Sequence, residues 1–260
     1  MLFIAFLAAI GLVLTVDIPG AKAQLPPSRS TSQSPTPAQI DRFLPVSQAH
    51  TMPATLARGQ AAEPQSEYFD DYFDKIQPTI AGYLIWSRFP VRIYFEPATQ
   101  MPDRSQEWVT AVTAAIQEWN AYLPLTVVNV PDTADIAIWR RTPPLQVDRS
   151  ATRQPELRAR SAETRFNLWV DRTIPEKPIL LHRMTIWLGM GQTQDYLRAA
   201  ARHELGHALG IWGHSPTATD VMYSAQVRQP PPLSDRDINT LRRIYQQPTR
   251  LGWAIPQPLN

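Results

Sequence analysis

The order of the elements that the sequence predicts indicates a single domain of the α/β or α+β class. Along the chain, the order is strand, helix, several strands, helix, irregular segment and helix, without an internal repeat. Two patterns support this prediction. VRIYF at residues 91–95 alternates in β-favouring residues, and residues 108–119 carry apolar side chains at helical spacing. A chain of 260 residues is long enough to bury a sizeable core.

The first half of this domain is predicted to contain one helix among short strands. The alternation in Val91–Phe95 predicts the first strand. The apolar stripe of the helix consists of Trp108, Val112, Ile116 and Trp119. The apolar runs that follow predict four further strands, at Leu125–Val130, Ala134–Trp139, Phe166–Asp171 and Ile179–Leu188. The polar stretch from Arg141 to about Thr164 is predicted to be a loop.

Two helices are predicted in the second half of the domain. Thr193 can cap the first of them, and Gly210 and Gly213 end it, because glycine adopts the backbone conformations that terminate helices. Its buried stripe is Leu197, Ala201, Leu205 and Ala208. Ser234 and Asp237 form a capping box for the second helix. The apolar face of that helix is Ile238, Leu241 and Tyr245.

The amino-terminal part of the chain is predicted to lie outside this domain. Leu2 to Val16 is an apolar run shorter than the ~18–20 residues of a membrane span, and Ala21-Lys22-Ala23 fits a small-x-small cleavage site. We therefore predict a signal peptide over residues 1–23 and a secreted or periplasmic protein. An uncleaved anchor is the alternative, because no Lys or Arg precedes the apolar run. Residues 24–80, rich in Pro, Ser and Gln, predict a linker or pro-segment before a folded domain at 81–250.

Composition excludes several kinds of chemistry. The chain has no cysteine, so disulfides, thiolate metal ligands and thiol nucleophiles are all excluded. The net charge is +2, and the Arg-rich stretch over 140–165 is diluted by Glu156 and Glu163 without interleaved aromatic residues. We therefore predict a monomer with no nucleic-acid partner and no membrane span once the signal segment is removed.

The motif HELGH at residues 203–207 carries the strongest indication of chemistry. His203 and His207 are four residues apart on a predicted helix, so both rings lie on one face, one turn apart. Two imidazoles in this arrangement can reach one Zn²⁺ ion. Glu204 is turned about 100° from His203, too far to be a natural ligand but well placed to act as a general base on a zinc-bound water. The competing interpretation is that these residues occur together by chance and that the helix has only a structural role.

A catalytic zinc ion needs a third protein ligand and one open position. No glutamate follows Glu204, so the downstream candidates are a histidine and three aspartates: His214, Asp220, Asp235 and Asp237. Asp235 and Asp237 stand at a helix start, which they are predicted to serve. We favour His214, because a helix break at Gly210 would let the chain return toward the metal.

This stretch resembles the metzincin metallopeptidases, and within them the matrixins. Their pattern, HExxHxxGxxH followed by a methionine turn, is matched at His203, Glu204, His207 and Gly210, whereas His214 comes one residue late. SPTATDVMY then places Met222 eight residues after His214, and LSDRDINTLRRIY at 233–245 resembles the closing helix of the family.

The resemblance implies a zincin-like fold. It implies a twisted, mostly parallel five-stranded sheet with a backing helix and an active-site helix, and a small irregular carboxy-terminal part with a closing helix. Phe166–Asp171 would be the antiparallel edge strand, along which a protein or peptide substrate binds as an extended strand. Met222 would form a hydrophobic floor under one catalytic zinc ion, and Tyr223 would line a specificity pocket. Residues 81–250 would then be the catalytic domain of a secreted zinc endopeptidase.

Two departures from the family pattern are visible. No cysteine is present to keep the enzyme latent, and only His50 and His182 remain for a second, histidine-rich zinc site. Calcium sites stay open, although no acidic loop indicates one. Two alternatives to an active endopeptidase remain. One is a non-catalytic zincin-like module that binds peptides or a cell-surface partner, and the other is a latent peptidase in which an aspartate of residues 70–74 reaches the metal.

Overall fold

The structure, a computed structural model, describes residues 43–58, 70–98, 104–144, 146–148, 156–158 and 160–256. Its helices are α1 (Ala54–Ala57), α2 (Ser105–Asn120), α3 (Gln194–Ala208) and α4 (Asp235–Tyr245). Its strands are β1 (Val91–Phe95), β2 (Leu125–Val127), β3 (Ile136–Trp139), β4 (Gln146–Asp148), β5 (Glu156–Arg158), β6 (Ala162–Asp171) and β7 (Ile179–Leu188). The predicted signal peptide, residues 1–23, lies outside the described residues.

Five of the strands form one mostly parallel mixed sheet in the order β2-β1-β3-β7-β6. The pairs β1–β2, β1–β3 and β3–β7 are parallel, whereas β6 runs antiparallel to β7 at the edge. The α/β class, the five-stranded sheet and the antiparallel edge strand are therefore confirmed. The strands β4 and β5 pair with each other as a separate two-stranded sheet.

The predicted loop from Arg141 to Thr164 is wrong at its carboxy-terminal end, because β6 begins at Ala162 and the loop also contains β4 and β5. Glu163 and Thr164 are buried, which their polarity argued against. Thr164 points toward the helices and is hydrogen-bonded to α3, whereas Arg165 pairs with Glu163. Partners from elsewhere in the chain thus make this polar stretch compatible with a strand.

Helices α2 and α3 pack together on one face of the sheet, as their apolar stripes predict. Every predicted stripe residue of both helices is buried. Two indole groups fix α2 in place: Trp108 Nε1 donates to the carbonyl of Leu188 at 3.1 Å, and Trp119 Nε1 donates to the carbonyl of Arg202 at 2.9 Å. These bonds satisfy the polar atom of each large side chain, so both can be buried without a desolvation penalty.

The core also includes residues that precede the predicted start of the domain. Leu56, Tyr72 and Ile76 are buried in the same cluster as the helices and the sheet. Their positions lie within the segment 24–80, which was predicted to be a linker or pro-segment. Although Pro, Ser and Gln dominate the composition of this segment, a few of its apolar side chains are buried against the domain. Residues 43–58 and 70–80 therefore belong to the folded body.

Tyr72 connects this segment to the carboxy-terminal part through a buried carboxylate. Its hydroxyl donates to Asp237 Oδ1 at 2.6 Å, and its backbone N–H donates to Thr240 Oγ1 at 3.0 Å. Asp237 also completes the predicted capping box with Ser234 at the start of α4. Burial, followed by the negative charge of Asp237, holds the pKa of Tyr72 well above its ordinary value, so the hydroxyl stays protonated and donates a hydrogen bond.

No helix among the described residues has both the length and the apolar composition that crossing a membrane requires.

Tyr72→Phe is expected to lower the free energy of unfolding by about 1–3 kcal/mol, because the buried Asp237 would lose a hydrogen-bond donor. Tyr94→Phe is the matched control, since the Tyr94 hydroxyl makes no hydrogen bond with the described residues and its ring lies against Trp139. Urea unfolding monitored by circular dichroism measures both variants. Equal stabilities of the two variants would contradict the assigned role of the Tyr72 hydroxyl.

Candidate metal centre

Helix α3 brings two of the predicted ligands together. His203 and His207 are buried one turn apart, with ring centroids 4.7 Å from each other. The helix begins after Thr193, which has the extended backbone of an N-cap residue, and Asp195 lies in its first turn where a negative charge is favourable. From Ala200 to Ala208 every residue of the helix is buried, so both imidazoles lie in the interior.

The chain reverses direction directly after α3. Gly210 has a φ of +126°, and a Cβ at this position would lie 2.9 Å from the carbonyl oxygen of Leu84. Only glycine fits this combination of backbone conformation and close packing. The reversal returns His214 to the helix, with its ring centroid 5.4 Å from that of His203 and 4.9 Å from that of His207.

The three histidines are close enough to hold one metal ion. Each offers a ring nitrogen, and these nitrogens lie within 4.8 Å of one another. In the part of the chain that the structure describes, this is the one group of His, Asp and Glu side chains close enough together to hold an ion. His214 thus completes the trio that the sequence predicted, despite arriving one residue late in the motif.

Two main-chain carbonyls orient the rings on α3. His203 Nδ1 lies 2.7 Å from the carbonyl oxygen of Val221, and His207 Nδ1 lies 2.8 Å from that of Ile211. A carbonyl oxygen only accepts hydrogen bonds, so each Nδ1 must donate its proton. The lone pair of each ring is then on Nε2, which is the arrangement found in metal-ligating histidines.

The third ring also has a nitrogen suited to ligation. His214 Nε2 is buried and has no hydrogen-bond partner among the described residues. A polar atom left in this state is costly unless a ligand satisfies it.

Burial keeps all three imidazoles neutral, which is the form that binds metals. It lowers the pKa of His203 to about 4 and that of His214 to about 3. The pKa of His207 is lowered well below its ordinary value, first by burial and then by the neighbouring histidines. Three neutral, converging imidazoles form the donor set that Zn²⁺ favours in catalytic sites. The residues present therefore fit a zinc ion.

The other candidates for the third ligand are engaged elsewhere. Asp220 accepts hydrogen bonds from Ser234 Oγ at 2.9 Å and Arg236 Nε at 3.0 Å, and also from Ser215 Oγ. Asp237 serves the capping box, and Asp235 lies in the first turn of α4. These contacts explain why none of the three aspartates joins the histidines.

The aspartates of residues 70–74 do not reach the histidines either. Their partners are basic side chains: Asp70 pairs with Arg236, Asp71 with Arg243 and Asp74 with Lys75. The hypothesis that one of them occupies the metal site is therefore wrong for this structure. His50 and His182 lie apart from the trio as well, since His50 stacks on Trp253 and His182 stacks on Trp86.

Glu204 is buried beside the histidines with only 3% of its surface exposed. Its Oε2 accepts a hydrogen bond from Thr164 Oγ1 at 2.5 Å. Burial raises the pKa of Glu204 to about 7, although the bond from Thr164 opposes this shift. Thr164 was missed by sequence reasoning because it lay in a predicted loop, and its place on β6 is apparent only from the sheet register.

Met222 packs directly beneath α3. It is fully buried, and a Cβ added to Gly206 would collide with its sulfur atom. The segment that carries Met222 is held in place by a hydrogen bond from Ser215 N to the Met222 carbonyl at 2.9 Å and by a β-bridge between Ser215 and Tyr223. The absence of a side chain at Gly206 therefore allows Met222 to approach α3 between His203 and His207.

A small pocket with a volume of about 40 Å³ lies next to His203. Tyr196 and Ala199 of α3 form one side, and Val221 and Tyr223 form another. Residues 225–227 and Pro230 complete the lining. Tyr223 thus lines a pocket beside the trio, as the family resemblance implies.

Comparison of the chain with protein-family models and with curated proteins finds no match.

His214→Ala is expected to weaken zinc binding by more than the 10- to 100-fold that loss of an outer hydrogen-bond partner typically costs. Asp220→Asn is the control, because it should destabilise the buried network around Ser234 and leave the zinc content at one ion per chain. Zinc stoichiometry and competition with a chromophoric chelator measure both. Unchanged affinity in His214→Ala would exclude it as a ligand.

Proposed function

We propose that the chain is an exported zinc-dependent endopeptidase of the metzincin type, similar to the matrixins. The observation that supports this most directly is a buried Glu204 that directly follows His203 on α3, together with three histidines whose ring nitrogens lie within 4.8 Å of one another. Binding of a structural metal ion would require the histidines but not a carboxylate with a pKa of about 7 beside them. Export and a monomeric state remain predictions from the sequence.

His203, His207 and His214 would hold the zinc ion. A bound zinc ion supplies a Lewis acid that acidifies water and polarises the carbonyl of the scissile peptide bond. Because the chain would supply three ligands, one coordination position would stay open for water or substrate. The carbonyls of Val221 and Ile211 keep the rings of α3 in the required orientation.

Glu204 would act as the general base and then as the general acid. Burial raises the pKa of this carboxyl, which favours its taking up a proton from water and holding it for the leaving group. Thr164 donates to Oε2, which leaves Oε1 to take the proton of the attacking water and to deliver it to the leaving amine. Thr164 is thus a positioning residue that fixes the carboxylate.

The edge strand β6 would bind the substrate. Among the described residues no strand pairs with its outer side, so an extended peptide could add to it through main-chain hydrogen bonds. Thr164 of the same strand contacts Glu204, which brings the strand alongside the reacting groups. The pocket that Tyr223 lines would receive one substrate side chain.

Glu204→Gln tests the proposal against a non-catalytic module that only binds peptides. Hydrolysis of a quenched fluorogenic peptide or casein is expected to fall about 10²–10⁴-fold, which is the usual contribution of a general base. Zinc content should not change, and a chelator should abolish wild-type activity until zinc is restored. If zinc-loaded wild-type protein shows no chelator-sensitive hydrolysis while peptide binding persists in Glu204→Gln, the module interpretation is correct.

Thr164→Val is expected to lower kcat about tenfold, the effect of losing one hydrogen bond of roughly 1.4 kcal/mol to a charged group. KM and zinc content should remain near the wild-type values, and Thr164→Ser should restore most of kcat because it keeps the hydroxyl. Steady-state kinetics on the three proteins measures this. Equal kcat values for the Val and Ser variants would show that the hydroxyl does not position Glu204.

A further inference from the structure

A second and larger cavity lies at the opposite end of β6 from Thr164. It has a volume of about 700 Å³ and is formed where the start of β1 and the segment before it meet the ends of β6 and β7. This volume falls within the roughly 300–1,000 Å³ typical of small-molecule sites. None of its lining residues belongs to the histidine trio or to the pocket that Tyr223 lines.

Two buried polar atoms in the lining have no hydrogen-bond partner among the described residues. They are His182 Nε2 and Trp169 Nε1. His182 is only 4% exposed and stacks on Trp86, with ring centroids 3.9 Å apart. Buried polar atoms are normally paired, so two orphaned nitrogens in one cavity indicate that a ligand completes their hydrogen bonding.

The chemistry of these two nitrogens restricts the ligand. An indole N–H only donates, so Trp169 requires an acceptor oxygen. Burial lowers the pKa of His182 to about 3, so its ring is neutral and can donate from one nitrogen while accepting at the other. A hydroxyl group, which both donates and accepts, satisfies either atom.

The charged residues in the lining cancel one another. Three are arginines and three are aspartates: Arg88, Arg92, Arg183, Asp132, Asp135 and Asp171. Arg88 lies 3.2 Å from Asp171, and Arg92 makes two bonds to Asp135 at 2.8 and 3.0 Å. Arg183 donates to the carbonyl of Asp132 at 2.9 Å. A lining balanced in this way offers hydrogen bonds without attracting a strongly charged ligand.

Aromatic rings and hydroxyl groups supply the rest of the surface. The aromatic residues Trp86, Trp169 and Phe89 and the hydroxyl-bearing residues Ser87, Thr126 and Thr173 also line the cavity. A pyranose ring presents the same combination, with apolar C–H faces and a rim of hydroxyl groups. From these observations we propose that the cavity binds a neutral saccharide unit, with His182 and Trp169 hydrogen-bonded to its hydroxyls. The proposal does not depend on the peptidase activity.

The cavity lies further along β6 than the candidate metal centre, on the same strand. His182 pairs with Leu168 on β6, whereas Thr164, which holds Glu204, pairs with Ile186. Four residues of strand separate the two places, a distance of roughly 13 Å. A saccharide attached to a polypeptide could therefore occupy the cavity while the polypeptide lies along β6.

Titration of the full-length protein with neutral hexasaccharides tests the proposal, with tryptophan fluorescence and calorimetry as readouts. The probes are cellohexaose, maltohexaose and the hexamer of N-acetylglucosamine, with trigalacturonate as an anionic comparison. We expect saturable binding of at least one neutral probe. Removing zinc with a chelator should leave this binding unchanged, so the result is independent of the proposed peptidase function.

Trp169→Phe and His182→Phe keep a ring at each position and remove the orphaned nitrogen. Each is expected to weaken binding about five- to tenfold, as the loss of one hydrogen bond predicts. Trp187→Phe is the matched control, because Trp187 lies outside the cavity on the neighbouring strand and carries Arg165 over its ring at 4.3 Å, much as Trp169 carries Arg183 at 5.0 Å. Its affinity should equal that of the wild type.

Three outcomes would overturn the proposal. They are the absence of saturable binding for all three neutral probes, binding of trigalacturonate alone, and binding that is unaffected in both cavity variants. Because His182 is buried, thermal unfolding of each variant is measured alongside. Trp169 is only partly buried, so its variant provides the result if His182→Phe does not fold.

Discussion

The chain reversal after α3 is the constraint on which the rest of the candidate site depends. A single helix can present two imidazoles one turn apart on a face, but a third donor to the same point must come from outside it. Gly210 makes this possible, because its φ of +126° turns the chain while its Cα packs against the carbonyl of Leu84. His214 then approaches His203 and His207 without disturbing the helix.

A continuous set of hydrogen bonds supports this geometry from a distance. The Tyr72 hydroxyl donates a hydrogen bond to Asp237, which also accepts one from the N–H of Val221 at 3.0 Å. The carbonyl of Val221 in turn accepts a hydrogen bond from Nδ1 of His203. The amino-terminal segment, the capping box of α4 and the segment around Val221 are thus joined to His203. Burial of these groups has a free-energy cost, which their mutual pairing offsets within the protein. Binding of a metal ion would offset the remaining cost at the histidines.

The same segment also packs against the turn that carries the third ligand. The N–H of Gln77 donates to the carbonyl of Trp212 at 3.1 Å, and a Cβ at Gly213 would collide with the carbonyl of Lys75. Gly213 is therefore needed for close packing, in addition to any role in ending the helix. Residues 70–77 are consequently part of the support of the metal centre.

Local patterns in the sequence were sufficient to predict the elements that a single periodicity defines. The stripe on α2, the placement of His203 and His207 on α3, and the capping box of α4 all follow from spacings within one element. Thr193 occupies the N-cap position of α3, but its side chain makes no capping hydrogen bond. The start of β6 and the role of Thr164 could not be predicted in this way, since the partner of the buried Thr164 hydroxyl is Glu204 of α3, 40 residues further along the chain. The burial of Leu56 and Tyr72 could not be predicted for a similar reason. The residues that they contact lie in α4 and the core, whereas their neighbours in sequence have the composition of a linker.

The most direct test of the central claim is X-ray absorption at the zinc K-edge of the full-length protein loaded with one equivalent of zinc. The account predicts four light donors at roughly 2.0–2.1 Å, with the multiple scattering of three imidazoles. A spectrum that fits two imidazoles, with a carboxylate in place of the third, would contradict the assignment of His214. The proposed arrangement around Glu204 would then have to be abandoned.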